Sequence, residues 1–153
     1  MIRLSLISSD NVSEQWLEAF RQYASIPSAG QDGMLSGLLR RAALVIQEYA
    51  DASVLACSFL LYSDSVEDRS VRLYQTVAEV VSVQDADGEE VPYRLEGRTV
   101  VLGQDVGEVT VEYRTAPVSG EQERLLPVVL RYATALYDGQ DNTELVKIIQ
   151  EIC

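Results

Sequence analysis

The sequence contains no histidine, and Lys147 is the single lysine among its 153 residues. Without histidine the chain cannot build a Ser-His-Asp or Cys-His catalytic centre, a histidine metal site or a histidine pH switch. Basic residues number 12 against 24 acidic ones, which gives a formal net charge of −12. Because binding to nucleic-acid phosphates through a broad surface requires clustered lysine and arginine, this composition argues against it.

Cysteine is also scarce, with Cys57 inside an apolar run and Cys153 at the end of the sequence. Neither belongs to a CxxC pair, and their separation matches no metal-ligand spacing. We therefore expect a buried structural thiol at Cys57 and a frayed terminal thiol at Cys153. No apolar stretch approaches the ~18 residues of a membrane-spanning helix, and the N-terminal one is too short for a signal peptide. These features predict a soluble protein made in a reducing cytoplasm.

Sequence motifs for catalysis and cofactor binding are missing as well. No GxxxxGK[ST], GxGxxG or GxSxG signature is present, and Lys147 has no serine at Ser-Lys spacing. The acidic segment 85–90 resembles the start of a calcium loop but lacks the later oxygen ligands and the terminal glutamate. We interpret it as an acidic, solvated turn. The sequence thus predicts no cofactor, no metal and no enzymatic activity.

Apolar residues at helical spacing predict four helices. The first covers residues 12–24, with Asn11 as its cap and Glu14 completing a capping box. The second runs from about residue 32 to 50. The third begins at Leu126 or Pro127, because proline suits the first turn of a helix better than its interior. The fourth covers residues 143–152.

Between the second and third helices the pattern changes to short β-rich runs. Strands are predicted at residues 54–62, 71–74, 77–83, 91–95, 99–102 and 109–114. Residues 85–88 predict a hairpin turn, with Gly88 free to adopt a positive φ. Short strands at this spacing favour one compact antiparallel sheet.

The order of these elements predicts an α+β fold in a single domain over residues 1–153. Its body is mainly helical, in the order α-α, an inserted antiparallel β-block at about residues 53–115, and α-α. No repeat, low-complexity segment or linker divides the chain. Tyrosine occurs eight times, and tyrosine is favoured at protein interfaces. For Tyr74, Tyr93 and Tyr113, within the β-block, a core position and an interface position both remain open.

The order of elements and three segments resemble the small head–tail connector (adaptor) proteins of tailed bacteriophages. The first segment is the helix pair at residues 12–23 and 32–43, with the second helix ending near Glu48-Tyr49. The second segment, residues 77–88 followed by 109–114, is similar to the inserted β-hairpin region of the longer family members. The third segment, residues 126–138, is similar to a family helix that has proline near its start and tyrosine near its end.

This resemblance implies a structural virion protein with no catalytic residues. Family members form a ring below the portal and extend the DNA channel towards the tail. The implied partners are further copies of the same chain, the portal protein, a tail or stopper protein, and DNA that passes through the lumen without specific binding. The implied location is the head–tail junction of the virion, after synthesis in the cytoplasm of a bacterial host and without any membrane association.

A ring of subunits with a charge of −12 each requires local attraction somewhere. The adjacent pair Arg40-Arg41 is a candidate for contact with an acidic neighbour. The predicted interface residues are therefore Arg40, Arg41, Tyr74, Tyr93 and Tyr113.

Two other functions remain open from the residues alone. One is a free-standing bacterial α+β module that binds a peptide or small ligand through the β-block. The other is a hydrolase that uses carboxylates, such as Glu79 or Glu112 with a neighbour, which would require two carboxylates converging in a cleft.

Overall fold

The structure is a computed structural model that describes residues 1–27 and 31–152. Within these residues the chain forms two compact units. The strand unit consists of Met1–Ser9 and Ala56–Ala116, and the helical unit consists of Asp10–Leu55 and Pro117–Cys153. Helices make up 37% and strands 30% of the chain, so the α+β class is confirmed but the mainly helical body is not. The single domain over residues 1–153, with its β-block at about 53–115, stays a prediction.

The strand unit contains seven strands within the described residues. They are β1 (Ile2–Ser9), β2 (Cys57–Ser63), β3 (Ser70–Arg72), β4 (Val77–Asp85), β5 (Tyr93–Glu96), β6 (Thr99–Leu102) and β7 (Val109–Thr115). They form two antiparallel sheets, one in the order β1-β2-β7-β4 and the other in the order β3-β6-β5. The sequence predicts one sheet and misses β1, although Ile2, Leu4 and Leu6 alternate with polar residues.

The core of the strand unit lies on one face of the four-stranded sheet. Every second residue of β2 and β7 is buried, as a strand with one covered face requires. Phe59 lies opposite Tyr113, and Leu61 lies opposite Val111. The rings of Phe59 and Tyr113 stack with centroids 5.7 Å apart. Cys57 is buried as predicted, whereas Cys153 lies outside the described residues.

The predicted turn at residues 85–88 is present. Gly88 has a φ of 80°, and its N–H donates to the Asp85 carbonyl at 3.1 Å. The Asp85 carboxylate accepts the N–H groups of Asp87 and Glu89 at 2.9 and 3.0 Å. This carboxylate therefore stabilises the turn itself, which agrees with an acidic, solvated turn.

The helical unit contains four helices within the described part of the chain. They are α1 (Glu14–Ala24), α2 (Asp32–Ala50), α3 (Glu121–Tyr137) and α4 (Asn142–Gln150). The bounds of α2 match the prediction. Its covered face is formed by Leu35, Leu39, Ala42, Ala43, Ile46 and Gln47. None of the four helices is both long and apolar enough to span a bilayer.

Three helix starts differ from the sequence prediction, and the smallest difference is at α4, which begins at Asn142 and not at residue 143. Ser13, not Asn11, caps α1, because its side chain accepts the N–H of Trp16 at 3.2 Å. Helix α3 begins at Glu121, so Pro127 lies inside it. Leu125 and Val129 are buried on either side of this proline, and burial of both turns outweighs the lost hydrogen bond. Pro27 and Gly30 predict a break after the first helix at residues 26–30, of which residues 28–30 lie outside the described residues.

Gly139 lies just after the end of α3, and its position after the last apolar residues of the helix predicts a C-terminal cap. Gly139 has a φ of 68°, which places it in the left-handed region that glycine adopts at low cost. Its N–H donates to the Leu136 carbonyl at 3.2 Å, and the next N–H, from Gln140, donates to the Ala135 carbonyl at 2.9 Å. These two bonds satisfy carbonyls left open by the last turn.

Residues 52–55 form a buried stretch of irregular backbone between α2 and the strand unit. The Gln47 side-chain oxygen accepts the N–H groups of Val54 and Leu55, both at 3.2 Å. The Gln122 side chain donates to the Val54 carbonyl at 2.9 Å. The apolar pattern predicts Gln47 outside the covered face, yet it is only 1% exposed. The buried glutamine is therefore explained by the backbone it binds.

Replacing Gln47 with leucine should destabilise the chain markedly, because two buried N–H groups would lose their acceptor. We expect Gln47→Leu to lower the free energy of unfolding by about 2–4 kcal/mol, measured by urea denaturation. The neighbouring exposed residue provides the control: Glu48→Leu should change stability by less than about 0.5 kcal/mol. Equal stability of the two variants would contradict this role of Gln47.

Candidate functional site

The predicted interface residues lie in both units. Arg40 and Arg41 belong to α2 of the helical unit, whereas Tyr74, Tyr93 and Tyr113 belong to the strand unit. Of these five, the structure brings Tyr74 and Tyr113 into direct contact. The candidate site is therefore a set of separate surface features, which we describe unit by unit.

Tyr113 is a core residue of the strand unit. Its side chain is completely buried, and it lies on the covered face of β7. Its hydroxyl accepts the N–H of Tyr74 at 3.2 Å and donates to the Tyr74 carbonyl at 3.3 Å. Of the two positions left open by the sequence, the core one agrees with this burial. Tyr113 can affect a surface only by holding Tyr74.

Tyr74 and Tyr93 are accessible in different parts of the strand unit. Tyr74 is half-buried in the segment between β3 and β4, and the Arg72 guanidinium lies 6.0 Å from its ring centroid. Tyr93 is 41% exposed on β5, at the edge of the three-stranded sheet. Leu95, two residues further along, is also 41% exposed and points to the same face. Tyr93 and Leu95 together form a small exposed apolar surface.

Arg40 and Arg41 are adjacent in α2 but have different surroundings. Arg40 is half-buried, whereas Arg41 is exposed. Residues seven apart lie on the same side of a helix, so Arg41 shares its face with Met34 and Glu48. Met34 is 48% exposed, and Glu48 is also exposed. Arg41 is thus available to a partner beside an apolar side chain.

The carboxylates considered for hydrolysis lie on a sheet face. Glu79 is exposed and forms an ion pair with Arg114 at 3.2 Å. Glu112, on the neighbouring strand β7, lies opposite Ser82. Both side chains extend from the uncovered face of the four-stranded sheet, where Arg114 lies beside Glu79. This arrangement gives no cleft in which two carboxylates converge.

A shallow hollow of about 450 Å³ lies in the strand unit, and its lining includes the carboxylates of Asp64, Asp85, Asp87 and Glu108. Three of these carboxylates already have partners. The Asp85 carboxylate accepts two N–H groups of its own turn. Asp64 accepts the N-terminal amine at 2.5 Å, and this hydrogen bond lowers the pKa of the Asp64 carboxyl. Glu108 accepts the Tyr62 hydroxyl, which raises the pKa of that tyrosine. The carboxylates of Asp64, Asp85 and Glu108 are therefore committed to local structure.

A smaller hollow of about 180 Å³ lies in the helical unit, between α1, α3 and α4, and its lining includes Tyr23, Arg131 and Glu144. Neither hollow is a deep apolar pocket of the kind that binds small ligands. Within the described residues, no group of three or more cysteine, aspartate or glutamate side chains is arranged to hold a metal ion. These features do not favour the ligand-binding module or the hydrolase.

Negative charge is divided equally between the two units. Each contains twelve of the 24 acidic residues and six of the 12 basic residues, which gives each unit a net charge of −6. The net charge of either unit therefore does not favour binding to nucleic-acid phosphates. The acidic character is a property of the whole chain.

The strand β1 is the surface feature that the sequence prediction misses. It is an edge strand of the four-stranded sheet, and Ile2, Leu6 and Ile7 are 57%, 43% and 52% exposed. The sequence signal for this strand is the alternation of Ile2, Leu4 and Leu6 with Arg3 and Ser5. An exposed apolar edge strand is a candidate interaction surface.

No protein-family model and no curated protein matches the sequence. Solved structures do match the fold. A chain from the neck of an empty gene transfer agent (GTA) particle, computed with C6 symmetry, is 17% identical, with a TM-score of 0.68. That match covers 98% of this chain and 94% of the other.

Two further matches come from native gene transfer agent particles. A chain from the virion is 17% identical with a TM-score of 0.66, and the match covers 97% of this chain and 93% of that one. A chain from the neck, computed with C12 symmetry, is 18% identical with a TM-score of 0.59, covering 95% and 94%. At this identity the likeness shows a common fold, and it extends over nearly the whole of each chain.

The hydroxyl of Tyr113 should contribute measurably to stability, because Tyr113→Phe leaves the half-buried N–H and C=O of Tyr74 without this partner. We expect a loss of about 1–3 kcal/mol in the free energy of unfolding, measured by urea denaturation. Tyr93→Phe is the matched control, since the Tyr93 ring is partly exposed, and it should change stability by less than about 0.5 kcal/mol. Equal effects would contradict the structural role of Tyr113.

Proposed function

We propose that this chain is a non-enzymatic structural protein of the neck of a tailed phage or phage-like particle. The observation that carries the proposal is the fold likeness to neck chains of gene transfer agent particles, which covers 98% of this chain and 94% of the other. The resemblance of the sequence to head–tail connectors supports the same role, because it rests on the order of elements and on three segments and not on the compared structures. The chain would be made in a bacterial cytoplasm and would function in the virion, at the head–tail junction.

Within the neck, the chain forms a ring below the portal and extends the DNA channel towards the tail. Its partners are further copies of itself, the portal protein, a tail or stopper protein, and DNA in the lumen. Both units have a net charge of −6, so either could line a channel without holding phosphates. DNA would pass such a wall without specific binding.

Contacts between subunits of the ring require attraction strong enough to overcome the repulsion between chains that carry −12 each. Arg40 and Arg41 on α2 would meet an acidic neighbour, while Tyr74 and Tyr93 would supply contact area in the strand unit. Arg41 suits this role because it is exposed beside Met34. Tyr113 would act only by holding the backbone of Tyr74.

The decisive experiment is to mix the purified chain with its cognate portal and to image the product by electron microscopy. We expect a ring of this chain docked on the portal. A monomer in dilute solution without the portal agrees with the proposal, because the portal supplies the template for assembly. If no ring docks on an intact portal, the proposal is wrong.

Reversing the charges of Arg40 and Arg41 together should weaken ring assembly. We expect Arg40→Glu with Arg41→Glu to raise the chain concentration needed for docking by at least about tenfold, which corresponds to about 1.4 kcal/mol. Arg124→Glu, an exposed residue of α3, is the control with the same type of change and should assemble normally. Unimpaired assembly of the double variant would remove both arginines from the interface.

A further inference from the structure

We propose that neighbouring copies join through their four-stranded sheets, with the open edge of β1 in one copy hydrogen-bonded to the open edge of β4 in the next. This inference rests on the proposed function, since it describes the self-contact of the ring. A ring needs a head-to-tail contact in which each copy presents two different, complementary surfaces. The two edges of one sheet meet that requirement.

Both edges are open over several residues. Among residues 1–27 and 31–152, no strand pairs with the outer side of β1, and residues 77–82 of β4 likewise have no strand beyond them. The end of β4 is covered, because the Val91 N–H donates to the Val83 carbonyl and the Asp85 N–H donates to the Glu89 carbonyl, both at 2.9 Å. The usable part of the β4 edge is therefore residues 77–82.

β1 has few of the features that usually protect an exposed edge strand. Such strands often contain several charges or a proline, or are interrupted by bulges. β1 has a single charged residue, Arg3, and no proline. Its one register shift lies after Leu6, so the stretch from Ile2 to Leu6 pairs regularly with β2. β4 has register shifts between Val77 and Glu79 and between Val80 and Ser82, which limits a regular contact to Glu79 and Val80.

The strand directions fit head-to-tail addition. All three pairs in the sheet are antiparallel and the sheet has four strands, so β1 and β4 run in opposite directions. When one copy follows another in the same orientation, β1 meets the next β4 as an antiparallel neighbour. The alternation of directions then continues from copy to copy. Pairing of β1 with another β1 would use the same edge twice and would end at two copies.

The buried face of the sheet and the charges on its other face together favour one register between β1 and the β4 of the next copy. Ile2 lies opposite the buried Ser63, and Val80 lies opposite the buried Tyr113, so both belong to the covered face of the sheet. Setting Ile2 opposite Val80 of the next copy makes that face continuous. It also sets Arg3 opposite Glu79 on the other face, where opposite charges favour pairing. Charge complementarity therefore agrees with the match of the apolar faces.

Disulfide trapping tests this register. Arg3→Cys and Glu79→Cys are made in separate chains in which Cys153 is replaced by serine, and Cys57 is kept because it is buried. The two chains are mixed, docked on the cognate portal and oxidised mildly. Residues directly opposite in an antiparallel pair have Cβ atoms about 4.5–5.5 Å apart, close enough for a disulfide after small adjustments.

We expect a disulfide-linked dimer in the mixture and a ladder of larger species from a chain that carries both cysteines. Arg94→Cys mixed with Glu79→Cys is the control, since Arg94 is exposed on β5 of the other sheet, and it should give no dimer. Rings that dock normally but do not cross-link between positions 3 and 79 would overturn this inference and leave the proposed function standing. Failure of the unchanged chain to dock would instead contradict the proposed function. Cross-linking by Arg3→Cys alone would mean β1–β1 pairing and would also overturn the inference.

A proline variant tests the hydrogen bonds themselves. The Asp64 N–H donates to the Met1 carbonyl, so by alternation the N–H groups of Ile2, Leu4 and Leu6 point away from β2. Leu4→Pro removes one outward N–H, whereas Leu4→Ala shortens the side chain and keeps that group. We expect the proline variant to need at least tenfold more chain for docking than the alanine variant, at similar midpoints of urea unfolding. Equal docking of both variants would overturn the inference.

Discussion

The hydrogen bonding of one buried stretch of backbone, residues 52–55, ties together two helices of the helical unit. Buried N–H and C=O groups without partners each cost about 1–3 kcal/mol, and this stretch belongs to no helix or strand. Gln47 of α2 and Gln122 of α3 bind it from two sides. Because both helices contribute, the stretch fixes them relative to each other within the helical unit. It also explains why β2 begins at Cys57 and not at Val54, where the apolar run starts: the backbone of Val54 is committed to the two glutamines.

The parts of the fold that follow from local chemistry were predictable. The bounds of α2 follow from apolar residues that recur at helical spacing along most of its 19 residues. The turn at residues 85–88 follows from an aspartate that binds its own backbone and a glycine with positive φ. Gly139 likewise marks the end of α3. At these positions the hydrogen-bond partners or the repeated apolar residues lie within a few residues in the sequence. Local sequence is therefore sufficient to predict the structure there.

The remaining parts depend on contacts between distant residues. Pro127 argues locally for a helix start, yet packing of Leu125 and Val129 extends α3 through it. Gln47 is polar and is buried only because Val54 and Leu55 return to it. The site shows the same limit: Tyr93 and Tyr113 both occur in predicted strands, and only the division into two sheets makes one exposed and the other buried. The edge position of β1 could not be read from its residues, since it depends on which strand pairs with β2.

The equal charge of the two units bears on the timing of assembly in the cell. Two copies carry −12 each, with −6 in each unit, so their like charge opposes close approach. At physiological ionic strength this repulsion extends over about 8 Å, whereas hydrogen bonds between strand edges act only at about 3 Å. Free copies in solution therefore meet a barrier before they can gain any contact. In the proposed ring, a portal that holds several copies side by side would remove that barrier, and growth of the sheet would then be a nucleated process. The same net charge would also oppose aggregation through the exposed apolar edge of β1 before docking.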